Sequence, residues 1–329
     1  MKENDIFLSI CIPTYNRVDY LEELLASLTR QCDIPGVEIC ISDNASSDGT
    51  ERFMRGVLKS GNSTVRYIRQ SVNIGLDNNM LAVVSMAQGR YIYPLGDDDM
   101  LPPGAVDIIL AELERSFDLL ILNAIHTDAV LKPLRRHLPD ELAGRSVFQA
   151  DEAFSLLWDK MPFGSFIAAR SLFEISESNR YAGTSHAYTG VVWDALARKH
   201  SNGSGCIVRC MDEHTVLLRG AEKTWRHDAA AIMLKQIPLW FEVVGYNKVY
   251  MDISRSVLKK YLDSQTSLVS LAYLRANGQL SLSNAACLAS FCNGRQKLNF
   301  FLVSIVPVAV LKSLVFLRDK LKLLANKLC

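Results

Sequence analysis

Residues 89–104 read Gly-Arg-Tyr-Ile-Tyr-Pro-Leu-Gly-Asp-Asp-Asp-Met-Leu-Pro-Pro-Gly, and this stretch decides the fold. Its apolar part, Tyr91 to Leu95, is typical of a strand that is buried on both faces of a sheet. The strand leads into three consecutive carboxylates, Asp97, Asp98 and Asp99. The Pro102-Pro103 pair then turns the chain toward a helix that we expect to begin near Gly104. The acidic triplet is therefore predicted on a short loop at the carboxyl end of a strand, where open α/β sheets bind ligands.

An acidic triplet also has a simpler interpretation. Asp favours turns and helix N-termini, so an isolated Asp-Asp-Asp can be a solvated turn and nothing more. Other polar segments favour a ligand site instead, because each follows its own predicted strand: Thr14 to Arg17, Ser42 to Thr50, and Asn73 to Gly75. The carboxyl ends of parallel strands meet at one edge of a sheet, so we expect these segments to converge on the acidic loop.

Apolar runs and amphipathic segments alternate along the first part of the chain. Strands are predicted at Phe7 to Ile12, Val37 to Ile41 and Val65 to Ile68, and helices at Asp19 to Thr29, from Thr50 onward, and at Leu76 to Ala87. This alternation predicts an α/β fold with a mostly parallel sheet and helices on both faces. No Gly-x-Gly-x-x-Gly motif follows the first strand, which disfavours an ordinary dinucleotide-binding domain.

The later part of the chain is less regular. Further strands are predicted at Leu119 to Asn123, Pro162 to Arg170, Ile207 to Arg209 and His214 to Leu218. A helix is expected at Val191 to Lys199. Residues 132–150 are rich in proline and basic side chains and then helical in pattern, so we expect a mobile segment over the site. Beyond Trp225 the pattern is helical and carries no recognisable site chemistry.

Composition disfavours some partners and sites. The 329 residues carry 36 basic and 35 acidic side chains, a net charge of +1 that gives no indication of nucleic acid binding. The eight cysteines are irregularly spaced and lack Cys-x-x-Cys pairs, so we do not expect a zinc site. The same pattern favours a protein of the reducing cytoplasm. The polar residues 1–5 and the short apolar run after them do not predict a signal peptide.

Four motifs together carry a family resemblance. They are Ile-Cys-Ile-Pro-Thr-Tyr-Asn-Arg at residues 10–17, Ile-Ser-Asp-Asn-Ala-Ser-Ser-Asp-Gly-Thr at 41–50, Asn-Ile-Gly at 73–75 and Gly-Asp-Asp-Asp at 96–99. In this order, each at a predicted strand end, they resemble the motifs of family 2 glycosyltransferases with the GT-A fold. Within that family, the first and last motifs and the Glu38 to Ala45 segment are similar to O-antigen sugar transferases, especially abequosyltransferases.

The resemblance implies a fold and an activity. The fold would be a GT-A catalytic domain, a Rossmann-like mostly parallel sheet with helices on both faces, at residues 1–225, with a C-terminal helical region at 226–296. The activity would be inverting transfer of one sugar, with a dideoxyhexose among the candidates, from a nucleotide-sugar donor to a lipid-linked glycan in O-antigen or surface polysaccharide synthesis. The Gln-x-x-Arg-Trp motif of processive synthases is absent. A nucleotidyltransferase and a non-catalytic glycan-binding or scaffolding module are the alternatives.

The acidic loop is where the resemblance implies a metal ion. A divalent cation held by carboxylates neutralises a diphosphate as the sugar leaves, and Mg²⁺ or Mn²⁺ suits that task because hard cations prefer oxygen ligands. The family pattern Asp-x-Asp-Asp places its first Asp on Gly96 of this chain. The resemblance therefore makes Asp98 the first metal ligand, with Asp97 and Asp99 in support. The alternative register, Asp97-x-Asp99, stays open.

The resemblance also implies a nucleotide-sugar site. Its residues would be Pro13, Thr14, Tyr15, Arg17, Asp43, Asn73, Gly75, Asp97 and Arg219. Asp43 would accept hydrogen bonds from the base, and Arg17 would reach a ribose or a phosphate. Arg219 and Trp225, on a loop after the last strand, would close over the diphosphate, a task that suits the donor fork of Arg.

Several of these residues also have a simpler structural role. Capping of a helix N-terminus is what Asp does best, and it would account for Asp43 and for Asp48 on the same loop. Tyr15 would equally serve as a core aromatic. A surface salt bridge is the corresponding role for Arg219.

Inverting transfer needs a general base that takes the proton of the acceptor hydroxyl. Relatives in the family often use the Asp of a Glu-Asp pair that starts a helix after the metal loop, and no such pair stands at that place here. The corresponding loop, Gly183 to Tyr188, makes His186 the first candidate because imidazole exchanges protons near neutral pH. Asp194 is the second. The alternative for His186 is a structural role, which is more common for a lone His. Asp212 and Glu213 are a further carboxylate pair, and an exposed turn is the simpler interpretation of them.

The C-terminal tail, residues 297–329, combines an apolar run with basic side chains. Its apolar part at 298–317 is long enough to cross a bilayer, but polar residues and Pro307 interrupt it. We therefore favour a helix pair that lies in a membrane interface over a true span, with a core helix as the alternative. A polyprenyl-diphosphate-linked oligosaccharide acceptor would explain this tail, and the protein would then be peripheral on the cytoplasmic face of the plasma membrane.

Overall fold

The computed structural model describes residues 6–32, 34–61, 64–174, 178–220, 229–281 and 292–328. These residues form two compact units. The first unit draws on Met1–Ala182 and His186–Ala221, and the second on Gly183–Ser185 and Glu222–Cys329. Trp225, and with it the expected domain boundary, lies outside the described residues.

The first unit is built on one sheet, which has nine strands within the described ranges. They are β1 (Leu8–Thr14), β2 (Val37–Asp43), β3 (Val65–Arg69), β4 (Tyr91–Pro94), β5 (Leu119–Thr127), β6 (Pro133–Arg136), β7 (Ser146–Val147), β8 (Phe166–Ala169) and β9 (Val208–Arg219). Their order across the sheet is β3-β2-β1-β4-β8-β5-β9-β7, and β6 pairs with β5.

Six of these strands run in one direction. β1 is parallel to β2 and β4, β2 is parallel to β3, and β5 is parallel to β9. β8 is antiparallel to both β4 and β5, so β4 and β5 point the same way. The carboxyl ends of these six strands therefore share one edge of the sheet. The predicted α/β fold with a mostly parallel sheet is confirmed.

Seven α-helices and one 3₁₀ helix, Ser178–Tyr181, are described in the first unit, and the α-helices are named here in chain order. They are α1 (Val18–Leu28), α2 (Thr50–Lys59), α3 (Leu76–Met86), α4 (Ala105–Leu113), α5 (Ala150–Leu157), α6 (Arg170–Glu174) and α7 (Ala187–Ser201). α1 buries the predicted stripe at helical spacing, made of Leu21, Leu24, Leu25 and Leu28. α4 begins directly after Gly104, whose φ of 81° is a conformation that glycine adopts without strain.

The centre of the sheet is buried on both faces. Every residue of β1, β2 and β4 is buried, so these strands show no polar alternation, as expected for strands covered by helices on both sides. Ile10, Ile39 and Tyr93 belong to the hydrophobic core that these strands form with α1 and α4. Burial of one side chain such as Ile10 contributes about 1.5–3 kcal/mol, so this core stabilises the strands whose ends carry the loops at the carboxyl edge.

The late strand region differs from the prediction. The strands expected at Ile207 to Arg209 and His214 to Leu218 are one strand, β9, whose register against β5 shifts twice. Asp212 and Glu213 lie within β9 at this irregularity, so the turn predicted for this pair was wrong. The irregular ladder broke the period-2 pattern on which the sequence prediction depended.

Two helix predictions also changed in extent. α7 begins at Ala187 rather than Val191. Gly190, in the part of the helix that was not predicted, lies against the Tyr181 ring, and a Cβ at residue 190 would come within 2.4 Å of that ring. Residues 132–150 hold β6 and β7, and their helix begins only at Ala150. β6 forms backbone hydrogen bonds with β5, so part of this segment belongs to the sheet. Its proline-rich sequence did not predict this pairing.

The second unit is helical. It contains α8 (Ala229–Ala231), which continues through a π-helical segment (Ile232–Gln236) into α9 (Ile237–Gly245), and then α10 (Met251–Gln265), α11 (Leu268–Ala276), α12 (Gly294–Ile305) and α13 (Val308–Leu328). Leu271, Phe300 and Leu311 belong to its core. Among the described residues no single helix is long and apolar enough to cross a bilayer, although Gly294–Ile305 and Val308–Arg318 reach that criterion as a pair bent by 106°.

Candidate active site

The acidic loop follows β4 at the shared carboxyl edge, and two of its carboxylates meet the chain that follows β1. The buried Asp97 accepts a hydrogen bond from Thr14 Oγ1 on Oδ2 at 2.8 Å and one from Arg17 Nη1 on Oδ1 at 2.9 Å. The same Nη1 lies 3.1 Å from Asp98 Oδ2. One guanidinium nitrogen thus joins the carboxylates of two consecutive residues.

Charge and burial act against each other in this cluster. Burial raises the pKa of Asp97 to about 6, Arg17 opposes the rise, and the neighbouring Asp98 adds to it. Desolvation works to lower the pKa of Arg17, but the charges of Asp97 and Asp98 outweigh it and the pKa is raised. Two adjacent carboxylates with little water around them strongly favour a nearby cation. In this structure Arg17 provides it.

Asp99 is held by a different part of the sheet. Its Oδ1 accepts a hydrogen bond from the backbone N–H of Arg219 at 3.1 Å. Its Oδ2 lies against two glycines, because a Cβ at Gly96 or at Gly164 would come within 2.7 Å of it. The family pattern has an Asp where this chain has Gly96, and the missing side chain leaves the room that the Asp99 carboxylate occupies.

Arg219 holds the acidic loop in place. It is the last residue of β9, so the prediction that placed it on a loop was wrong. Its Nε donates to the backbone carbonyl of Asp98 at 2.8 Å, and its Nη2 donates to Glu23 Oε2 at 2.7 Å. The salt bridge suggested as its simpler role is therefore present. These partners support the loop backbone and connect it to the middle of α1.

Asp43 ends β2 and is fully buried. Its Oδ1 accepts a hydrogen bond from the Ser46 backbone N–H at 2.8 Å, and its Oδ2 accepts one from the Tyr67 hydroxyl at 2.9 Å. Arg69 Nε lies 3.6 Å from the same Oδ2. Neither partner is a helix N-terminus, so the capping interpretation of Asp43 was wrong. Both carboxylate oxygens therefore already have partners within the protein, and the base contact stays a prediction.

Asp48 has the capping role that was considered for it, and it serves two helices. Its Oδ2 accepts a hydrogen bond from the Val18 N–H at the start of α1, at 2.9 Å. Its Oδ1 accepts from the Thr50 N–H at 3.1 Å and the Thr50 hydroxyl at 2.6 Å, at the start of α2. Burial works to raise the pKa of Asp48, but the hydrogen bonds from Thr50 and Val18 outweigh it and lower the pKa.

The predicted donor residues Asn73 and Gly75 connect neighbouring loops. Asn73 Oδ1 accepts hydrogen bonds from Asn44 Nδ2 and from the Gly75 backbone N–H, both at 2.9 Å. Asn44 Oδ1 in turn accepts one from the Ile74 N–H at 2.8 Å. The loops after β2 and β3 are therefore fastened together beside the start of α3.

Pro13 and Tyr15 flank Thr14 at the end of β1. Pro13 pairs with Ser42 of β2, so it belongs to the sheet itself. Tyr15 follows the strand with 40% of its surface exposed, which rules out the core-packing interpretation. An exposed aromatic ring directly after β1 offers a flat surface on which a nucleobase can stack.

His186 is the residue directly before α7, and it is half-buried. The next residue, Ala187, donates its backbone N–H to Asp77 Oδ1 at 3.1 Å, which ties the start of α7 to the first turn of α3. The His186 ring lies roughly parallel to that of Tyr188, with centroids 6.3 Å apart. Because α3 begins directly after the Asn73 to Gly75 loop, His186 lies at the same edge as the donor residues.

Asp194 lies further along α7 and is fully buried. Its Oδ2 accepts a hydrogen bond from Arg180 Nη2 at 2.6 Å, within the first unit. A buried carboxylate that neutralises an arginine has a structural role, and this geometry does not favour it as the base for an acceptor hydroxyl.

The cation that the resemblance implies can be tested against the residues present. Within the described ranges no three His, Cys, Asp or Glu side chains form a metal-holding group. Two carboxylate oxygens do converge on one point, the Nη1 of Arg17, from Asp97 and Asp98. Mg²⁺ beside a nucleotide is commonly held by one or two carboxylates together with substrate phosphates. The donor set therefore fits a divalent cation: Asp97 and Asp98 provide the converging oxygens, whereas Asp99 Oδ1 accepts a hydrogen bond from the Arg219 backbone.

Sequence reasoning missed an aromatic residue at the site. The ring of Tyr20, in the first turn of α1, lies near two guanidinium groups, 5.7 Å from Arg17 and 5.3 Å from Arg219. Such cation–π contacts help to orient both side chains. The signal for Tyr20 was its spacing, because residues three apart on a helix share a face with Arg17 at the helix start.

Comparison with known proteins gives sequence relatives. Residues 9–174 match the sequence model of Glycosyl transferase family 2. Abequosyltransferase RfbV of Salmonella typhimurium is 31% identical over 234 residues, 65% of this chain and 67% of that protein. The GalNAc(5)-diNAcBac-PP-undecaprenol beta-1,3-glucosyltransferase of Campylobacter jejuni is 29% identical over 110 residues, 33% of this chain and 35% of that protein.

A solved structure gives a structural relative. TarS of S. aureus, residues 1–349 in complex with UDP-GlcNAc, superposes with a TM-score of 0.59 over 90% of this chain and 79% of that chain, at 15% identity. At this identity the likeness shows a shared fold, and the fold agrees with the sheet described above.

Proposed function

The chain belongs to glycosyl transferase family 2, and we propose that it transfers one sugar from a nucleotide-sugar donor to a lipid-linked glycan during surface polysaccharide synthesis. Family membership confirms the resemblance found in the motifs and favours a transferase over a nucleotidyltransferase. One observation carries the proposal: Asp97, Asp98 and Arg17 meet at the carboxyl edge of the sheet, in a cluster built for a cation. A diphosphate that leaves with its charge rising needs such a counter-ion.

The donor's diphosphate is proposed to bind beside Asp97 and Asp98. These two side chains would hold Mg²⁺ or Mn²⁺, which when bound neutralises the leaving diphosphate. Thr14 keeps the Asp97 carboxylate in place through its hydroxyl, and Arg219 supports the backbone of Asp98. The exposed ring of Tyr15 would stack on the nucleobase.

His186 is the proposed base for the acceptor hydroxyl. It lies at the donor edge and is partly exposed, whereas Asp194 is fully buried against Arg180. A neutral imidazole there would accept the hydroxyl proton while the oxygen attacks the anomeric carbon. Attack from the face opposite the leaving diphosphate inverts the configuration of that carbon.

Binding of nucleoside diphosphates tests the donor site. UDP, CDP, GDP and dTDP are titrated calorimetrically into the full chain, each with Mn²⁺ and with EDTA, and into Asp98→Asn. Asp140→Asn is the matched control, because Asp140 is an exposed acid whose described partner is the surface residue Arg136. We expect one diphosphate to bind with Mn²⁺, to bind the control equally and to lose at least tenfold in affinity on Asp98→Asn. Absence of binding in every condition would contradict the donor assignment.

The lipid-linked acceptor is proposed from the relatives and from α12. The Campylobacter relative carries a diphosphate-linked undecaprenol in its name, and RfbV is an abequosyltransferase. In this chain α12 has two apolar faces. Phe300 and Val303 are buried in the core of the second unit. The other face is exposed and consists of Leu298, Phe301, Leu302 and Ile305.

α13 extends the exposed apolar surface. Val310, Leu314 and Leu317 are exposed and fall on one side of the helix, at spacings of four and three residues. Residues 292–328 carry seven basic side chains and one acidic one, although the whole chain has a net charge of only +1. An exposed apolar face with basic side chains beside it is typical of a helix that lies on an anionic bilayer. We therefore propose that α12 and α13 dock on the membrane that holds the acceptor.

Vesicle binding tests this membrane surface. The full chain is sedimented with phosphatidylcholine vesicles, with and without phosphatidylglycerol, and compared with a Phe301→Ser, Ile305→Ser double variant. Tyr246→Ser is the control, because Tyr246 is a 79% exposed aromatic that follows α9. We expect binding to the anionic vesicles, kept by the control and lost by the double variant. Equal vesicle binding by the wild type and the double variant would contradict the proposal. If the protein is a dimer that the double variant disrupts and the control does not, this face binds a second copy of the chain instead.

A further inference from the structure

Arg17 occupies the position that a cation would take between the two carboxylates. Its Nη1 lies 2.9 Å from Asp97 Oδ1 and 3.1 Å from Asp98 Oδ2. The three side chains are largely buried: their exposed fractions are 14% for Arg17, 7% for Asp97 and 14% for Asp98. A divalent ion would be held by the same two oxygens that this nitrogen contacts. Because both are positively charged and share one small volume with little water, they exclude each other.

Arg17 is placed where it can leave this position without a change in the sheet. It directly precedes α1, so its backbone lies on the connection between β1 and that helix. Its guanidinium lies 5.7 Å from the Tyr20 ring centroid, and its side chain can change position by rotation about its own bonds. The long flexible stem of Arg allows that movement at small cost.

The other arginine of the cluster is already committed to the framework. Arg219 donates from Nε to Asp98 O, from Nη1 to Ala129 O and from Nη2 to Glu23 Oε2. Moving it would break the contacts to the acidic loop and to the middle of α1 together. The described guanidinium contacts of Arg17, by contrast, are with the two carboxylates themselves and with the Tyr20 ring.

We propose that Arg17 is a built-in counter-ion that holds Asp97 and Asp98 in the empty enzyme and gives up its place when a divalent cation enters, turning its guanidinium to the donor diphosphate. This inference rests on the proposed function. It has two consequences. The cation alone binds weakly, because it must displace Arg17. A nucleoside diphosphate strengthens binding of the cation, because it gives the displaced guanidinium a new partner.

Binding of Mn²⁺ alone tests the displacement. Free Mn²⁺ is measured by electron paramagnetic resonance during titration of the full chain, Arg17→Met, and Arg55→Met. Arg55 is the control for loss of one positive charge, because it lies on the surface of α2, paired with Glu51. We expect Arg17→Met to bind Mn²⁺ about tenfold more tightly than the wild type, as for a site freed of an internal competitor, and Arg55→Met to match the wild type. Equal or weaker binding by Arg17→Met overturns the proposal.

Repeating the titration with UDP, or with whichever diphosphate binds, tests the second position of Arg17. In the wild type the diphosphate should strengthen Mn²⁺ binding, and in Arg17→Met this gain should shrink. Arg17→Lys keeps the charge and should stay close to the wild type. If Arg17→Met is unstable without metal, its melting temperature should rise more with Mn²⁺ than that of the wild type, because two buried carboxylates then lack a cation. An equal rise overturns the proposal.

The two proposals fail separately. If Arg17→Met gains Mn²⁺ affinity but no diphosphate binds any variant, the displacement of Arg17 stands and the donor assignment fails. If a diphosphate binds with metal but Arg17→Met gains no Mn²⁺ affinity, the donor assignment stands and the role of Arg17 fails.

Discussion

Asp99 packs so closely against Gly164 that a Cβ at residue 164 would lie 2.7 Å from the Asp99 Oδ2. Gly164 also donates its backbone N–H to Pro94 O at 2.7 Å, at the end of β4. The segment that leads into β8 is thereby fastened beside the acidic loop. The conformation of that loop depends on a glycine from a distant part of the chain.

Gly164→Ala should disturb the acidic loop, and Gly104→Ala provides a matched control. Both glycines have a positive φ, 80° and 81°, but a Cβ at Gly104 would meet open space. Each substitution should cost about 1–2 kcal/mol in unfolding free energy for the left-handed backbone. Only Gly164→Ala should also displace Asp99 and weaken binding of the Mn²⁺–diphosphate pair, by about tenfold. Equal affinities in the two variants, measured by calorimetry, would contradict this.

Asp48→Ala should reduce stability in a pH-dependent way. Asp48 accepts hydrogen bonds at the starts of α1 and α2, so its loss should lower the unfolding free energy by about 1 kcal/mol at pH 7. The folded-state pKa of Asp48 is lowered, so its stabilisation is present above the unfolded pKa of about 3.9 and is lost as the pH falls through the folded pKa.

Urea unfolding of the wild type and Asp48→Ala at pH 7 and pH 3 measures this effect. The difference between the two proteins should shrink at pH 3. Asp48→Asn, which keeps an acceptor and loses the charge, should be intermediate at pH 7. A difference that does not change with pH would show that the carboxylate charge is irrelevant to the two helix starts.

His186→Gln should lower kcat by about 10²–10⁴-fold, as expected when a general base is removed, with little change in the KM for the donor. His200→Gln, at the other end of α7, is the control and should keep full activity. The dependence of kcat on pH should differ between the wild type and the residual activity of His186→Gln. An unchanged pH profile in His186→Gln would give the base role to another group.

Asp194→Asn should act on stability rather than on chemistry. Its carboxylate is buried and paired with Arg180 at 2.6 Å, so loss of the charge should lower the unfolding free energy by about 2–3 kcal/mol, moderated by the partial exposure of Arg180. Donor binding at saturating Mn²⁺ should be unchanged. A large fall in kcat with unchanged stability, measured by urea unfolding and initial rates, would instead restore Asp194 as the base.

Local pattern was enough to predict the main elements and the edge that carries the site. Buried strands such as β1 and β4 are marked by continuous apolar runs, and breakers such as Pro102-Pro103 mark where the chain turns. Both signals lie within a few residues of the structure that they determine. Parallel strands bring their carboxyl ends together, so the motifs at residues 10–17, 41–50, 73–75 and 96–99 predicted one shared site, and family membership followed from their order.

Only the tertiary structure decided which partner each of these side chains has. Asp97 pairs with Arg17, 80 residues away, and Asp99 with Arg219, 120 residues away. Asp43 is satisfied by Tyr67 of the adjacent strand. A carboxylate accepts whichever donor lies within about 3 Å, and that donor is set by the register of non-adjacent strands and by the packing of helices on them. The sequence by itself determined that carboxylates gather at one edge, whereas strand register and packing decided that an arginine already lies between two of them.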